Sequence, residues 1–136
     1  MTEESAAQIH SGGCLCSAVR YAVHGALRPV IACHCGQCRR QTGHFMAATA
    51  AERADFKLLD ASGLRWYRSS PQAERGFCGI CGSTLFWQAT GSDRISIAAG
   101  TLDGATGLAI ARHIFTASKG DYYAIADGAP QSETWE

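Results

Sequence analysis

Seven cysteines fall into three short groups whose spacing suits metal binding. The groups are Cys14 with Cys16, then Cys33, Cys35 and Cys38, then Cys78 with Cys81. An odd number of cysteines disfavours a framework of disulfides alone, and a reducing compartment would keep such thiols free. We therefore expect these side chains to be metal ligands or reactive groups.

The pair Cys78 and Cys81 has the spacing of a metal knuckle. Gly79 and Gly82 stand within and just after the pair, and glycine permits the backbone angles that a tight loop needs. Backbone N–H groups in such a loop can point at the sulfurs and stabilise their negative charge. An ordinary buried pair of thiols would not need these glycines, so the spacing predicts a metal.

The pair Cys14 and Cys16 is less specific alone, because free cysteine is also common in protein cores. In an extended segment, residues two apart face the same side, so both sulfurs can reach one ion. A structural zinc takes four ligands, and each short pair supplies only half of them. Joining this pair to Cys78 and Cys81 gives a closed four-cysteine site that would constrain a long loop of the chain.

The remaining cysteines, Cys33, Cys35 and Cys38, would leave one position of a tetrahedral zinc open, as catalytic zinc sites do. Three thiolates make the ion electron-rich, so it suits the exchange of sulfur ligands better than the activation of water. The expected substrate is therefore a thiol, whose proton the metal displaces.

A closed second site is the alternative, with a histidine as fourth ligand. His34 should point away from the ion that Cys33 and Cys35 face, so we expect it beside the site, supporting a ligand. His44 and His113 are other possible ligands, and His113 could instead be a general base or a core residue. Iron is an alternative metal for sulfur ligands.

Two arginines directly follow the three-cysteine group. Arg39 and Arg40 could hold the carboxylate of an anionic substrate, although a solvated basic turn explains them equally well. Tyr122 and Tyr123 could line a pocket, with packing as the favoured explanation. The aromatic residues expected in the core are Trp66, Phe86 and Trp87.

Length and charge restrict the class of protein. A chain of 136 residues predicts one domain, here 1–136, with a core from about 12 to 130 and a loose tail over 1–10. Lys+Arg and Asp+Glu balance at 12 each, which argues against nucleic acid or an anionic membrane as partner. We find no apolar run of ~18 residues and no signal peptide, so we expect a cytoplasmic protein. No feature of the sequence indicates an oligomeric state.

Short patterns of alternating hydrophobicity predict a mostly β fold of antiparallel strands and hairpins around zinc sites, with few short helical turns. The predicted strands are 19–23, 30–32, 45–50, 56–59, 64–68, 84–87, 94–98 and 111–115. A turn is expected at 11–13, a helical turn at 38–43 and a hairpin loop at 91–93.

Together these motifs resemble the glutathione-dependent formaldehyde-activating enzyme family. The matching segments are Gly13-Cys14-x-Cys16, Cys33-His34-Cys35-x-x-Cys38-Arg39-x-x-Thr42-Gly43, Phe77-Cys78-x-x-Cys81-Gly82-Ser83, Gly100-Thr101-Leu102-Asp103 and His113-Ile114-Phe115. The resemblance runs from about Gly12 to Pro130 and includes all seven cysteines in order. One departure is Tyr122, where the family usually carries tryptophan.

The resemblance implies two zinc ions and a reaction. A structural zinc would bind Cys14, Cys16, Cys78 and Cys81, and a catalytic zinc would bind Cys33, Cys35 and Cys38 where glutathione binds. The activity it implies joins formaldehyde to the glutathione thiol to give S-hydroxymethylglutathione, which in reverse is a carbon–sulfur lyase reaction. The three-ligand site is the one expected to lose its metal. The alternative is a non-catalytic zinc-binding module that binds a thiol or a protein partner.

Overall fold

Strands dominate the computed structural model, which describes residues 9–135. Within that range the ten strands are β1 (Ile9–Gly13), β2 (Arg20–His24), β3 (Val30–Cys33), β4 (Met46–Glu52), β5 (Phe56–Asp60), β6 (Leu64–Ser70), β7 (Ala73–Cys78), β8 (Thr84–Ala89), β9 (Arg94–Ala98) and β10 (Ile110–Ile114). The α-helix of this range is α1 (Gly36–Thr42), and short 3-10 helices span Arg53–Asp55, Ala99–Thr101 and Thr116–Ser118. The prediction of a mostly β fold is confirmed.

The strands form two sheets. The smaller sheet has three strands in the order β1-β2-β5, and the larger has seven in the order β10-β3-β4-β9-β8-β7-β6. All pairs are antiparallel except β3 with β10, which run parallel. The parallel pair brings the carboxyl ends of β3 and β10 to the same edge of the sheet.

The main core joins side chains of both sheets. Tyr21 and Val23 of β2 pack in one buried cluster with Phe86 of β8 and Ile95 and Ile97 of β9. The rings of Tyr21 and Phe86 meet edge to face, with centroids 5.5 Å apart. Each fully buried side chain of this size contributes roughly 1.5–3 kcal/mol to folding, so this cluster fixes the small sheet on the large one.

The opposite face of the large sheet carries a different set of residues. Because successive side chains of a strand alternate between faces, Ser96 points away from the core that contains Ile95 and Ile97. Ser96 is paired with Trp87, and Trp87 is paired with Arg75. Three neighbouring strands therefore present these paired residues side by side on the face that bears the cavity described below.

The chain after β10 returns along that strand. The N–H of His113 donates to the carbonyl of Pro130, and the N–H of Ser132 donates to the carbonyl of His113, both at 2.9 Å. The N–H of Phe115 donates to the carbonyl of Thr134 at 3.0 Å. This segment therefore covers the free edge of β10 and brings Trp135 to the cavity.

The predicted turn at 11–13 is wrong, because these residues form the end of β1 and pair with β2. A Cβ on Gly12 would lie 2.3 Å from Tyr21 Oη and 2.4 Å from the carbonyl oxygen of Thr101, so close packing accounts for glycine here. The predicted loose tail over 1–10 is also wrong at Ile9 and His10, which belong to β1. The rest of that tail lies outside the described residues.

Two of the aromatic predictions also need correction. Phe86 is buried as predicted, but Trp66 is 41% exposed because it lies on β6, the edge strand of the large sheet. Its ring stacks on that of Phe86 with centroids 6.1 Å apart. Trp87 is half-buried and lines the cavity instead of entering the main core.

No helix in the described part of the chain is both long enough and apolar enough to cross a membrane.

Candidate metal centres and the adjoining cavity

Four of the cysteines meet where the end of β1 approaches the end of β7. The sulfurs of Cys14, Cys16, Cys78 and Cys81 all lie within 4.8 Å of one another. Cys16 Sγ lies 3.8 Å from both Cys14 Sγ and Cys78 Sγ. The structure therefore brings together the two pairs that were predicted to share one ion, although 62 positions separate Cys16 from Cys78.

Backbone N–H groups point at these sulfurs. Val19 N donates to Cys14 Sγ at 3.3 Å, and the N–H groups of Ile80 and Cys81 both donate to Cys78 Sγ at 3.4 Å. Such donors stabilise a thiolate, which is the form that binds a metal. The donor set therefore fits a cation held by four sulfurs.

The loop after Cys81 ties the two pairs together. Gly82 has a φ of 82°, a left-handed conformation that favours glycine. Ser83 Oγ accepts a hydrogen bond from Leu15 N at 3.0 Å and lies 3.2 Å from Cys81 Sγ. The hydrogen bond from Ser83 lowers the pKa of the Cys81 thiol to about 5, so this sulfur is anionic at neutral pH.

The other three cysteines meet at the junction of β3 and α1. Cys33 ends β3, Cys35 is the residue before α1, and Cys38 lies in its first turn. Cys35 caps the helix, because its sulfur accepts a hydrogen bond from Cys38 N at 3.3 Å. This cap extends the predicted helical turn at 38–43 back to Gly36 and holds the three sulfurs within 4.8 Å of one another.

The three thiols share their protons unequally. Hydrogen bonds from Cys33 and then Cys38 lower the pKa of Cys35 to about 2, whereas the adjacent Cys35 sulfur raises the pKa of Cys33. Cys35 is therefore the most acidic thiol of the group. A divalent ion bound here would have to displace the protons of the other thiols, so its affinity would rise with pH.

A buried arginine lies against this group. Arg75 of β7 is only 4% exposed, and its Nη2 donates to Cys38 Sγ at 3.4 Å. Its Nη2 and Nε also donate to Gln37 Oε1, at 2.8 and 3.1 Å. Arg75 was not predicted as a site residue, because no local motif marks an arginine that reaches the cysteines through sheet pairing. Its guanidinium offsets negative charge on the sulfurs.

A cavity of about 300 Å³ opens beside the three-cysteine group. Its walls come from six strands of the large sheet, from α1 and from the segments before β3 and after β10. The lining residues are Arg28, Ile31, Cys33, Cys35, Gln37, Cys38, Met46, Ala48, Arg75, Trp87, Ser96, Ile114, Phe115 and Trp135. All members of the three-cysteine group line this cavity, and none of the other four cysteines does.

The predicted histidines lie in a separate buried chain of hydrogen bonds. His34 Nε2 lies 2.9 Å from His113 Nδ1, and His113 Nε2 lies 2.8 Å from Asp127 Oδ2. Since the Asp127 carboxylate accepts from His113, His113 Nδ1 accepts from His34, and His34 Nδ1 accepts from the Tyr123 hydroxyl. Burial lowers the pKa of His34 to about 4, so its ring is neutral at pH 7.

No histidine nitrogen of the described residues joins the sulfurs of the three-cysteine group within 4.8 Å. His34 points away from the cavity that Cys33 lines, as the alternation of an extended strand predicts. His44 instead contacts the Tyr122 hydroxyl at 2.9 Å. The group therefore presents three sulfur ligands and an open side toward the cavity.

The predicted substrate contact Arg39 does not line the cavity. It is half-buried on α1, and its Nε is buried without a hydrogen-bond partner among residues 9–135. Arg40 is exposed on the same helix. The arginines that do line the cavity are Arg28 and Arg75.

Comparison with known proteins identifies a matching family model, a curated relative and a solved structure. Residues 9–118 match the family model described as glutathione-dependent formaldehyde-activating enzyme. An uncharacterized lyase of Schizosaccharomyces pombe is 33% identical over 82 residues, which cover 60% of this chain. The chain spans only 58% of the length of that relative.

A solved structure is also similar. The crystal structure of a Rhodobacter sphaeroides protein shares 25% sequence identity, with a TM-score of 0.60. The likeness covers 71% of this chain and 91% of the other. The family model, which matches most of the chain and spans both groups of cysteines, agrees with the resemblance found in the sequence. The chain therefore belongs to the glutathione-dependent formaldehyde-activating enzyme family.

Proposed function

We propose that this protein is a zinc-dependent carbon–sulfur lyase of the cytoplasm that acts on the adduct of a small thiol and formaldehyde. Glutathione is the thiol that the family description supplies. The observation that carries the proposal is that Cys33, Cys35 and Cys38 line a cavity while the other four cysteines form a group away from it. This arrangement suits one site for chemistry and another for stability.

The donor sets support zinc at both groups. Cys14, Cys16, Cys78 and Cys81 would hold a closed structural ion, since four sulfurs complete a tetrahedron. Cys33, Cys35 and Cys38 would hold a second ion with one position left for a ligand from the cavity. When bound, that ion would supply a Lewis acid that lowers the pKa of the substrate thiol.

The residues of the chain bind and orient the reactants. The apolar cavity walls would exclude water, and the Arg75 guanidinium would offset the negative charge of the cysteine sulfurs. In the synthetic direction, an electron pair of the substrate sulfur forms the S–C bond to formaldehyde. The carbonyl π pair moves to oxygen, which takes up the proton released by the thiol, giving R–S–CH2–OH. The lyase direction reverses each of these changes.

His34 and His113 would act as positioning residues. Neither lines the cavity, and both hydrogen-bond away from it, toward Tyr123 and Asp127 respectively. Their bond to each other joins the segment between Cys33 and Cys35 to β10. We propose that this link fixes the backbone that carries Cys33 and Cys35.

Exchange NMR with glutathione and ¹³C-labelled formaldehyde tests the proposal. The zinc-loaded protein should accelerate interconversion of the free and adduct forms above the uncatalysed rate, whereas Cys35→Ser should reduce it to that rate. Circular dichroism of the variant serves as the control for folding. If the wild-type protein binds zinc at both groups but leaves the exchange rate at its uncatalysed value, the non-catalytic zinc module is the correct description.

A further inference from the structure

Apart from the three cysteine sulfurs, the charged side chains of the cavity wall are all cationic. Arg28 and Arg75 line the cavity, and none of its lining residues, all of which lie within residues 9–135, is acidic. Both guanidinium groups lack a carboxylate within 4.0 Å among the described residues. Arg75 already faces the Cys38 sulfur, whereas Arg28 donates only to backbone carbonyls. A half-buried cation without a counter-ion is costly, so a ligand anion beside Arg28 would be stabilised.

Each guanidinium keeps hydrogen-bond donors free for such an anion. Arg28 donates from Nε to the carbonyl of Pro29 at 3.2 Å and from Nη2 to the carbonyl of Ala48 at 2.8 Å. Arg75 uses Nε and Nη2 for Gln37 and Cys38. The Nη1 group of each arginine has no hydrogen-bond partner within residues 9–135 and is not among the fully buried unpaired atoms of that range.

The surroundings of Arg28 add to the positive potential. Burial, with further contributions from the positive charges of Arg94 and Arg112, lowers the pKa of Arg28. The shift shows that its charged form is less well compensated than in water, which is the condition under which an anion binds best.

The rest of the cavity is apolar. Ile31, Met46, Trp87, Ile114 and Phe115 supply much of its wall. A volume of about 300 Å³ accommodates a small molecule, which must have an apolar body to replace water there. With an ion bound to the three sulfurs, an ammonium group would find no carboxylate among the lining residues and would face two guanidinium groups.

We propose that this cavity selects a thiol that carries a carboxylate on a short apolar body, and discriminates against a thiol that carries an ammonium group. The inference rests on the proposed function, because it assumes that the thiol binds beside Cys33, Cys35 and Cys38. Arg28 and Arg75 are then the residues that determine specificity. Glutathione, which has both kinds of charge, would have to leave its ammonium end outside the cavity.

Titration calorimetry of the zinc-loaded protein tests this with three thiols of similar size. The probes are 3-mercaptopropionate, which is anionic, 2-mercaptoethanol, which is neutral, and cysteamine, which is cationic. The anionic thiol should bind at least about ten-fold more tightly than the cationic one, which corresponds to about 1.4 kcal/mol. 3-(Methylthio)propionate, which keeps the carboxylate but has no thiol proton to lose, should bind more weakly than 3-mercaptopropionate.

Variants assign the selectivity to the arginines. Arg28→Gln should reduce the preference for the anionic thiol several-fold, and Arg75→Lys, which keeps the charge, should retain most of it. Arg53→Gln is the matched control, because Arg53 is exposed and does not line the cavity. Zinc content and circular dichroism verify that each variant is folded and loaded.

The outcomes separate this inference from the proposed function. Equal affinities for the three thiols, or a preference that Arg28→Gln leaves unchanged, would overturn the inference and leave a thiol site in place. If none of the thiols binds the zinc-loaded protein, or if the methylated probe binds as tightly as the thiol, the proposed function itself fails.

Discussion

At the scale of single residues, Gly12 places the first cysteine pair. It lies in β1 two positions before Cys14, and it is buried against Tyr21 and Thr101. The Tyr21 hydroxyl bonds to Thr101 Oγ1 at 2.7 Å, so neither neighbour can move aside without breaking this contact. The absence of a side chain at Gly12 is therefore what allows β1 to approach the core and deliver Cys14.

Gly12→Ala should destabilise the protein by about 2–3 kcal/mol, because a Cβ at 2.3–2.4 Å from these oxygens forces the strand outward. Gly100→Ala is the matched control, since a Cβ there meets nothing within 4 Å. Urea denaturation measures both changes. Equal stability of the two variants would show that β1 does not pack against Tyr21 as described.

At the scale of elements, Asp127 links the C-terminal loop to β10 and, through His113, to His34, the residue that follows β3. Its carboxylate accepts from Ala129 N at 3.0 Å and from His113 Nε2 at 2.8 Å. The backbone bond to Ala129, followed by the bond to His113, lowers the pKa of Asp127. Because the folded pKa is lowered, the stabilisation is present above the usual carboxyl pKa and is lost as the pH falls through the folded value.

Asp127→Ala should therefore increase amide hydrogen exchange several-fold at His113 and Ser132, where the loop and β10 are hydrogen-bonded. The difference from the wild type should be present at neutral pH and shrink in acid. Asp121→Ala, an exposed aspartate with no hydrogen-bond partner within residues 9–135, should change nothing. Exchange that is unaltered at neutral pH in Asp127→Ala would contradict the role given to this link.

Features set by local sequence patterns could be predicted, whereas features set by the pairing of strands could not. Cys78 and Cys81 were recognisable because their spacing is local, and the alternating strands were recognisable because one sheet face is buried. That Arg28 and Arg75 line the cavity could not be predicted from the sequence, because their positions depend on which strands pair and in which register. A lone arginine in an alternating strand carries no signal of the group it will meet.

The wrong prediction of a turn at 11–13 has a similar origin. Ser11-Gly12-Gly13 has the composition of a turn, and only the approach of Tyr21 and Thr101 explains why glycine occurs in a strand there. The bond between His34 and His113 joins residues 79 positions apart, so it could not be predicted from a local sequence pattern either. Strand alternation predicted only that the His34 side chain faces away from the sulfurs.

At the scale of the whole molecule, the two cysteine groups constrain the chain differently. The four-cysteine group joins segments 62 positions apart and borders the main core, which includes Cys14 and Cys78. The three-cysteine group lies within six residues and packs in a smaller cluster with Met46 and Ala48. An ion at the first group would restrict the unfolded chain far more than one at the second, because the loop it closes is longer.

Zinc analysis combined with thermal melting of Cys14→Ser and Cys35→Ser tests this division of labour most directly. Both variants should lose a single zinc ion relative to the wild type, which should hold one at each group. Cys14→Ser should melt well below the wild type, whereas Cys35→Ser should melt close to it. A Cys35→Ser variant that unfolds as readily as Cys14→Ser, or a Cys14→Ser variant as stable as the wild type, would contradict the account.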